Sequence, residues 1–229
     1  MRESGTRRVL RDQGLGLFFG GIFLATLAAQ SFTGLAVYNQ EQLSHGLSEI
    51  GWLRFVTSSA FAVDVAENWQ SEYLQFFLFI VATIWLVQRG STESKQVGKE
   101  GIGSEEEQLI GDFARPDSPA WAKVRGFRLW LLSNSLLIVM GAIFFASWFA
   151  QSLAGVTAFN EEQLRSLQDP LSWSQYVVSP DFWNRTLQNW QSEFLAVGSM
   201  VVLSIYLRQR GSPESKPTGE AHAATGVQS

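Results

Sequence analysis

Apolar and polar positions are segregated along this chain rather than interleaved. Residues 13–40 and 129–160 are runs of 28 and 32 consecutive uncharged positions, each longer than the roughly 20 residues that span a bilayer core. They predict helices over about 15–38 and 129–158. Two further apolar stretches are shorter, with 16 residues between Glu72 and Arg89 and 14 between Glu193 and Arg208. A helix rises 1.5 Å per residue, so neither stretch crosses the hydrocarbon unless the helix starts earlier, with polar first turns at headgroup level. Ser179, Pro180 and Asp181 read as an N-cap, a first helical position and a dipole-favoured acid. Helices over about 60–89 and 181–209 follow, each about 45 Å long. Segments 50–57 and 171–178 mix aromatic and polar residues and predict short elements lying on the membrane surface, anchored by Trp52 and Trp173. No proline interrupts a predicted span, unlike the broken helices of many ion-coupled transporters.

The pattern occurs twice. Residues 30–95 align with 151–216 at a constant offset of 121 without gaps, and 27 of 66 positions are identical. EQL (41–43, 162–164), NWQSE (68–72, 189–193) and QRGSxESK (88–95, 209–216) are the strongest blocks. Upstream, Gly21, Ala25, Ala29 and Thr33 recur at Ala142, Ala146, Ala150 and Ala154. That four-residue spacing predicts a small-residue face for close helix packing. The expected architecture is all-α and polytopic, with four transmembrane helices from two tandem helix–loop–helix units. The units are 1–95 and 128–216, joined by a flexible linker at 96–127 and followed by a disordered tail at 217–229.

Charge orients the assembly. Of the 17 basic residues, 14 lie in the N-terminal segment, the central segment and the tail, and only Arg54, Arg165 and Arg185 in the two intervening loops. Positive residues mark the cytoplasmic side, so both termini and the linker are expected inside and the two units parallel. The loops at 40–72 and 160–193 then face outward with a net charge of −7. Arg7 and Arg8 precede the first apolar run, but Leu27 spoils the small-x-small pattern before Gln30, and an uncleaved helix is expected. The formal charge of −4 and the lack of a basic, aromatic-rich cluster exclude nucleic acid as an expected partner. The chain has no cysteine and only two histidines, which leaves no disulfide, no thiolate or histidine metal centre, and no expected cofactor.

The candidate chemistry is acidic. Asn68 and Glu72 are four apart on one helix, as are Asn189 and Glu193, and Glu41 and Glu162 lie just past the first helix of each unit. These six residues form either a structural polar cluster or an outward-facing site for a cation or cationic solute. No catalytic motif accompanies them, so no enzymatic activity is expected. The doubled YNQEQL or FNEEQL, NWQSE and QRGSxESK pattern resembles an uncharacterised family of small bacterial, largely actinobacterial, integral membrane proteins. The resemblance implies a multi-pass protein of the bacterial plasma membrane and assigns no activity. A structural or interaction role in the bilayer is therefore expected, with a second copy or another membrane protein as partner. The alternative is a transporter or channel-like protein using the acidic site.

Overall fold

The computed structural model describes residues 5–227 and is all-α, with eight α-helices and no strand among the described residues. In order these are α1 (Gly5–Asp12), α2 (Gly14–Ser44), α3 (Trp52–Val56), α4 (Ser59–Trp85), α5 (Phe127–Ser133), α6 (Ser135–Arg165), α7 (Trp173–Tyr176) and α8 (Pro180–Tyr206). Two 3₁₀ turns, Gly111–Phe113 and Ala120–Lys123, lie in the central segment. The chain divides into two compact units: Met1–Asp64 with Ala154–Ser172, and Val65–Leu153 with Trp173–Ser229.

In the first unit, α3 folds back onto α2. The Trp52 indole donates to Ser31 Oγ at 2.9 Å and stacks on Phe32. Phe55 is buried against Gly34, where a Cβ would stand 2.9 Å from the ring, and is flanked by Tyr38 and Phe61. The loop after α2 is pinned by Asn39, whose Nδ2 donates to the Ile50 carbonyl while its Oδ1 accepts from the Ile50 N–H. Asn160 makes the same two bonds to Leu171. A side-chain amide here pairs with a main-chain amide, leaving neither group of the loop unsatisfied.

The second unit is built on α4, α8 and most of α6. Ser179 caps α8 by accepting from the Phe182 N–H at 3.4 Å, with Pro180 at the first turn, as its sequence predicts. The Trp173 indole donates to Ser152 Oγ at 3.0 Å, repeating the Trp52–Ser31 bond 121 positions on. The buried face of α6 carries Gly141, Phe144, Ser147 and Gln151, and Gly141 lets the Phe77 ring come within 2.9 Å of where a Cβ would be. The small-residue ladder expected to pack is therefore displaced around the helix: Ala142, Ala146 and Ala150 are exposed, as are Gly21, Ala25, Ala29 and Thr33. Spacing alone shows that small residues share a face, not that the face meets protein.

Both second helices stop earlier than expected, at Trp85 and Tyr206. The reason lies in QRGSxESK, where Ser94 Oγ accepts from the Gln88 N–H and Ser215 Oγ from the Gln209 N–H, each at 2.9 Å. These hydroxyls replace helical carbonyl acceptors and close a turn. The tail, expected to be disordered over 217–229, contains no helix or strand among its described residues and is tied down by hydrogen bonds to Lys216 and Gly90.

Candidate functional site

The most polar part of the second unit lies where α4, α6, α7 and α8 contribute side chains. Arg185 sits three residues after Phe182, a buried anchor of α8, and its guanidinium bridges Glu67 at 3.5 Å and Asp181 at 3.3 Å. Tyr176, fully buried, donates its hydroxyl to Asp181 Oδ2 at 3.2 Å. Burial and the adjacent Asp181 carboxylate hold this phenol well above its usual titration range, so it stays a neutral donor. One turn along α8, Thr186 is fully buried and accepts from the Trp148 indole at 3.4 Å. Trp148 stacks on Phe144 and Phe182 and touches Trp190.

Trp190 completes the cluster by donating to Gln70 Oε1 at 2.7 Å. Gln70 and Gln151 are both fully buried, and neither amide atom of Gln151 has a hydrogen-bond partner among the described residues. A buried unpaired amide costs about 1–3 kcal/mol relative to an apolar side chain of its shape.

The six acidic and amide residues singled out by sequence are distributed between the units. Glu72 and Glu193 lie on α4 and α8 within electrostatic reach of each other, Glu193 half-buried and Glu72 exposed. Asn189 donates to the main-chain carbonyl of Arg185, one turn back on α8, at 3.0 Å, and Asn68 is exposed. Glu41 and Glu162 belong to the other unit, both exposed, and Glu162 pairs with Arg165 at 3.6 Å. Arg165 also lies over the Tyr38 ring at 5.7 Å. Among the described residues no three His, Cys, Asp or Glu side chains gather in a metal-binding group.

Glu67, Gln70, Tyr176 and Arg185 are the better-connected polar residues, with Gln151 buried but unbonded, and none of these is among the six. Two had a readable signal: Gln70 is the Gln of NWQSE, and Gln151 heads a Gln-Ser pair found in both copies, at 30–31 and 151–152. Nothing in the sequence distinguishes Tyr176, which stands opposite Phe55 in the alignment, as a hydrogen-bonding residue.

Fold and site together define a helical protein with two 31-residue helices, Gly14–Ser44 and Ser135–Arg165, long and apolar enough to cross a membrane. Residues 6–227 match the profile of an uncharacterised family, described as Domain of unknown function (DUF6766), and the chain belongs to that family. No curated protein and no solved structure matches it.

Proposed function

We propose that this chain is an integral membrane protein of the bacterial plasma membrane with a structural or interaction role. Its long helices α2, α4, α6 and α8 cross the bilayer as two parallel tandem units, with both termini and the central segment in the cytoplasm. One observation carries the reading: only 6% of the apolar window of α2 and 22% of that of α6 is buried within the chain. A core helix of a soluble protein buries its apolar face, whereas a helix apolar on every side and nearly bare needs an apolar solvent. The recurrence of the Trp–Ser, Asn–loop and QRGSxESK bonds at an offset of 121 supports two units of one design. The 14-to-3 division of basic residues supports their common orientation.

An interaction role fits the exposed apolar length of α2. Alkaline carbonate washing of membranes from expressing cells tests the membrane assignment. The protein is expected to stay in the pellet, and its release into the supernatant would overturn the reading. The approach of Glu72 to Glu193 favours a second reading, an outward cation site. Titrating purified protein with Ca²⁺, Mg²⁺ and a polyamine separates the two. A ligand of the folded state raises thermal stability, and a site of this kind loses that rise in the Glu72→Gln, Glu193→Gln double variant.

A further inference from the structure

The chain folds back on itself after α8. Arg208 turns its guanidinium over the end of the helix, Nη1 donating to the carbonyls of Ser204, Ile205 and Leu207 and Nη2 to that of Glu220 at 3.0 Å. Lys216 is fully buried, with Nζ donating to the carbonyls of Ala221 and His222 at 3.3 and 2.8 Å. The segment then reaches the turn that follows α4. The Gly90 N–H donates to Thr225 Oγ1 at 2.8 Å, and the Gly226 N–H donates to the Ser91 carbonyl at 2.9 Å. Ser91 Oγ and Ser204 Oγ are 3.2 Å apart beside them.

Two glycines make this approach possible. Gly90 has φ +87°, and a Cβ there would stand 2.4 Å from the His222 carbonyl oxygen; Gly226 has φ +67°, with 2.9 Å to the Ser94 carbonyl oxygen. Gly226 also lines a cavity of about 570 Å³ whose wall includes Phe79, Thr83, Thr92, Lys95 and Lys99. The first copy has no such staple, because Val87 stands where the second has Arg208.

We propose that residues 217–226 are a releasable latch, which ties the turn after α4 to the end of α8 and, through Gly226, narrows access to the wall of this cavity at Thr92. Thr225 is the only buried residue between 217 and 227; Pro217, Ala221 and Ala223 are all exposed. A segment held by hydrogen bonds without buried apolar surface lies at the low-stability end of a fold and opens before the helices it joins. Release removes the wall that Gly226 contributes to this polar cavity, beside the C-terminal end of α4 and the segment that follows it, and frees the tail for another partner.

The chain has no cysteine, so one introduced thiol reports on the cavity alone. Thr92 is buried and lines it, whereas Asp117 is exposed in the central segment and serves as a control. In the full chain, maleimide should label Thr92→Cys slowly. Labelling should be about tenfold faster when Gly226→Val is added or residues 217–229 are removed, because both shift the latch toward its open form. A peptide of residues 217–229 should slow the truncated chain again, and Asp117→Cys should label at one rate throughout. Equal rates at Thr92→Cys with and without the latch would overturn the proposal. So would equal acceleration at both thiols, which would make the tail a general stabiliser rather than a cover for the cavity.

Discussion

After α2 the chain turns at Gly46, which is in the left-handed region with φ +73°, and the Leu47 and Gly46 N–H groups close on the carbonyls of Gln42 and Leu43. After α6 the same two bonds close the same turn, from Gln168 to Gln163 and from Leu167 to Leu164, but the left-handed residue is Leu167 at φ +57°. This is the Schellman arrangement that glycine makes without steric cost, and in the second copy a leucine carries it, 96% exposed and repaid by no packing. The Asn pin and the Trp–Ser bond are kept in both copies. Around this common frame the second copy gains polar chemistry. Phe55, Ala60 and Asp64 of the first copy align with Tyr176, Asp181 and Arg185 of the second. Within the shared NWQSE block Gln70 is buried and accepts from Trp190, while its counterpart Gln191 is exposed. The two aligned stretches share a frame, and the polar network joins Tyr176, Asp181 and Arg185 of the second to Glu67 of the first.

Breaking the charged network should cost most. Arg185→Met leaves Glu67 and Asp181 without their cation, and a loss of about 2–3 kcal/mol is expected in denaturant unfolding of detergent-solubilised protein. The side chain of Arg185 is 42% exposed, which keeps the figure below that of a fully buried pair. A loss under half a kcal/mol would mean that this network is ornamental. Removing the shared pin should act equally in both copies. Asn39→Ala and Asn160→Ala each delete two hydrogen bonds to a loop and should each cost about 1–3 kcal/mol by the same assay. A large difference between them would break the equivalence of the two frames.

How far these differences could be read from sequence depends on whether they are local. Ser179-Pro180-Asp181 announces the start of α8 because capping is decided within one turn, and the structure starts the helix at Pro180. The C-terminal ends of the first helices lie beyond the expected 38 and 158, because α2 and α6 continue through YNQEQLS and FNEEQLR to their left-handed turns at Gly46 and Leu167. α6 also begins later than expected, at Ser135, after a break at Asn134, whose side chain bonds the Trp130 carbonyl. The packed face of α6 was not legible, since a helix uncharged on every side offers no polar stripe to mark which side is solvent. Buried Gln70 and Gln151 were passed over for a related reason: polarity predicts exposure, and only the tertiary arrangement buries them.

The turn itself can be sharpened. Leu167→Gly should stabilise the protein by about 0.5–1 kcal/mol, the left-handed strain of leucine less the extra freedom of glycine in the unfolded chain, and Gly46→Leu should destabilise it similarly. Opposite signs in thermal unfolding would confirm that one turn is relaxed and the other strained; equal signs would contradict it. The smallest effect expected is at Glu93, whose carboxyl is pushed above its ordinary range by burial and by Glu214 nearby. A carboxyl raised in the folded state is penalised only while ionised, so the penalty is full at neutral pH. It disappears as pH falls through the raised folded value toward the ordinary carboxylate range. Glu93→Gln should therefore stabilise by a few tenths of a kcal/mol at pH 7 and not at pH 4, since partial exposure screens the interaction.

Parallel units crossing one bilayer are the central claim, and topology reporters test it most directly. Fusions of a reporter active only in the cytoplasm are made near residues 48, 105, 168 and 225, one in each loop, the central segment and the tail. The 14-to-3 distribution of basic residues predicts signal at 105 and 225 and none at 48 and 168. Signal at 48 or 168, or silence at 105, would contradict the parallel arrangement.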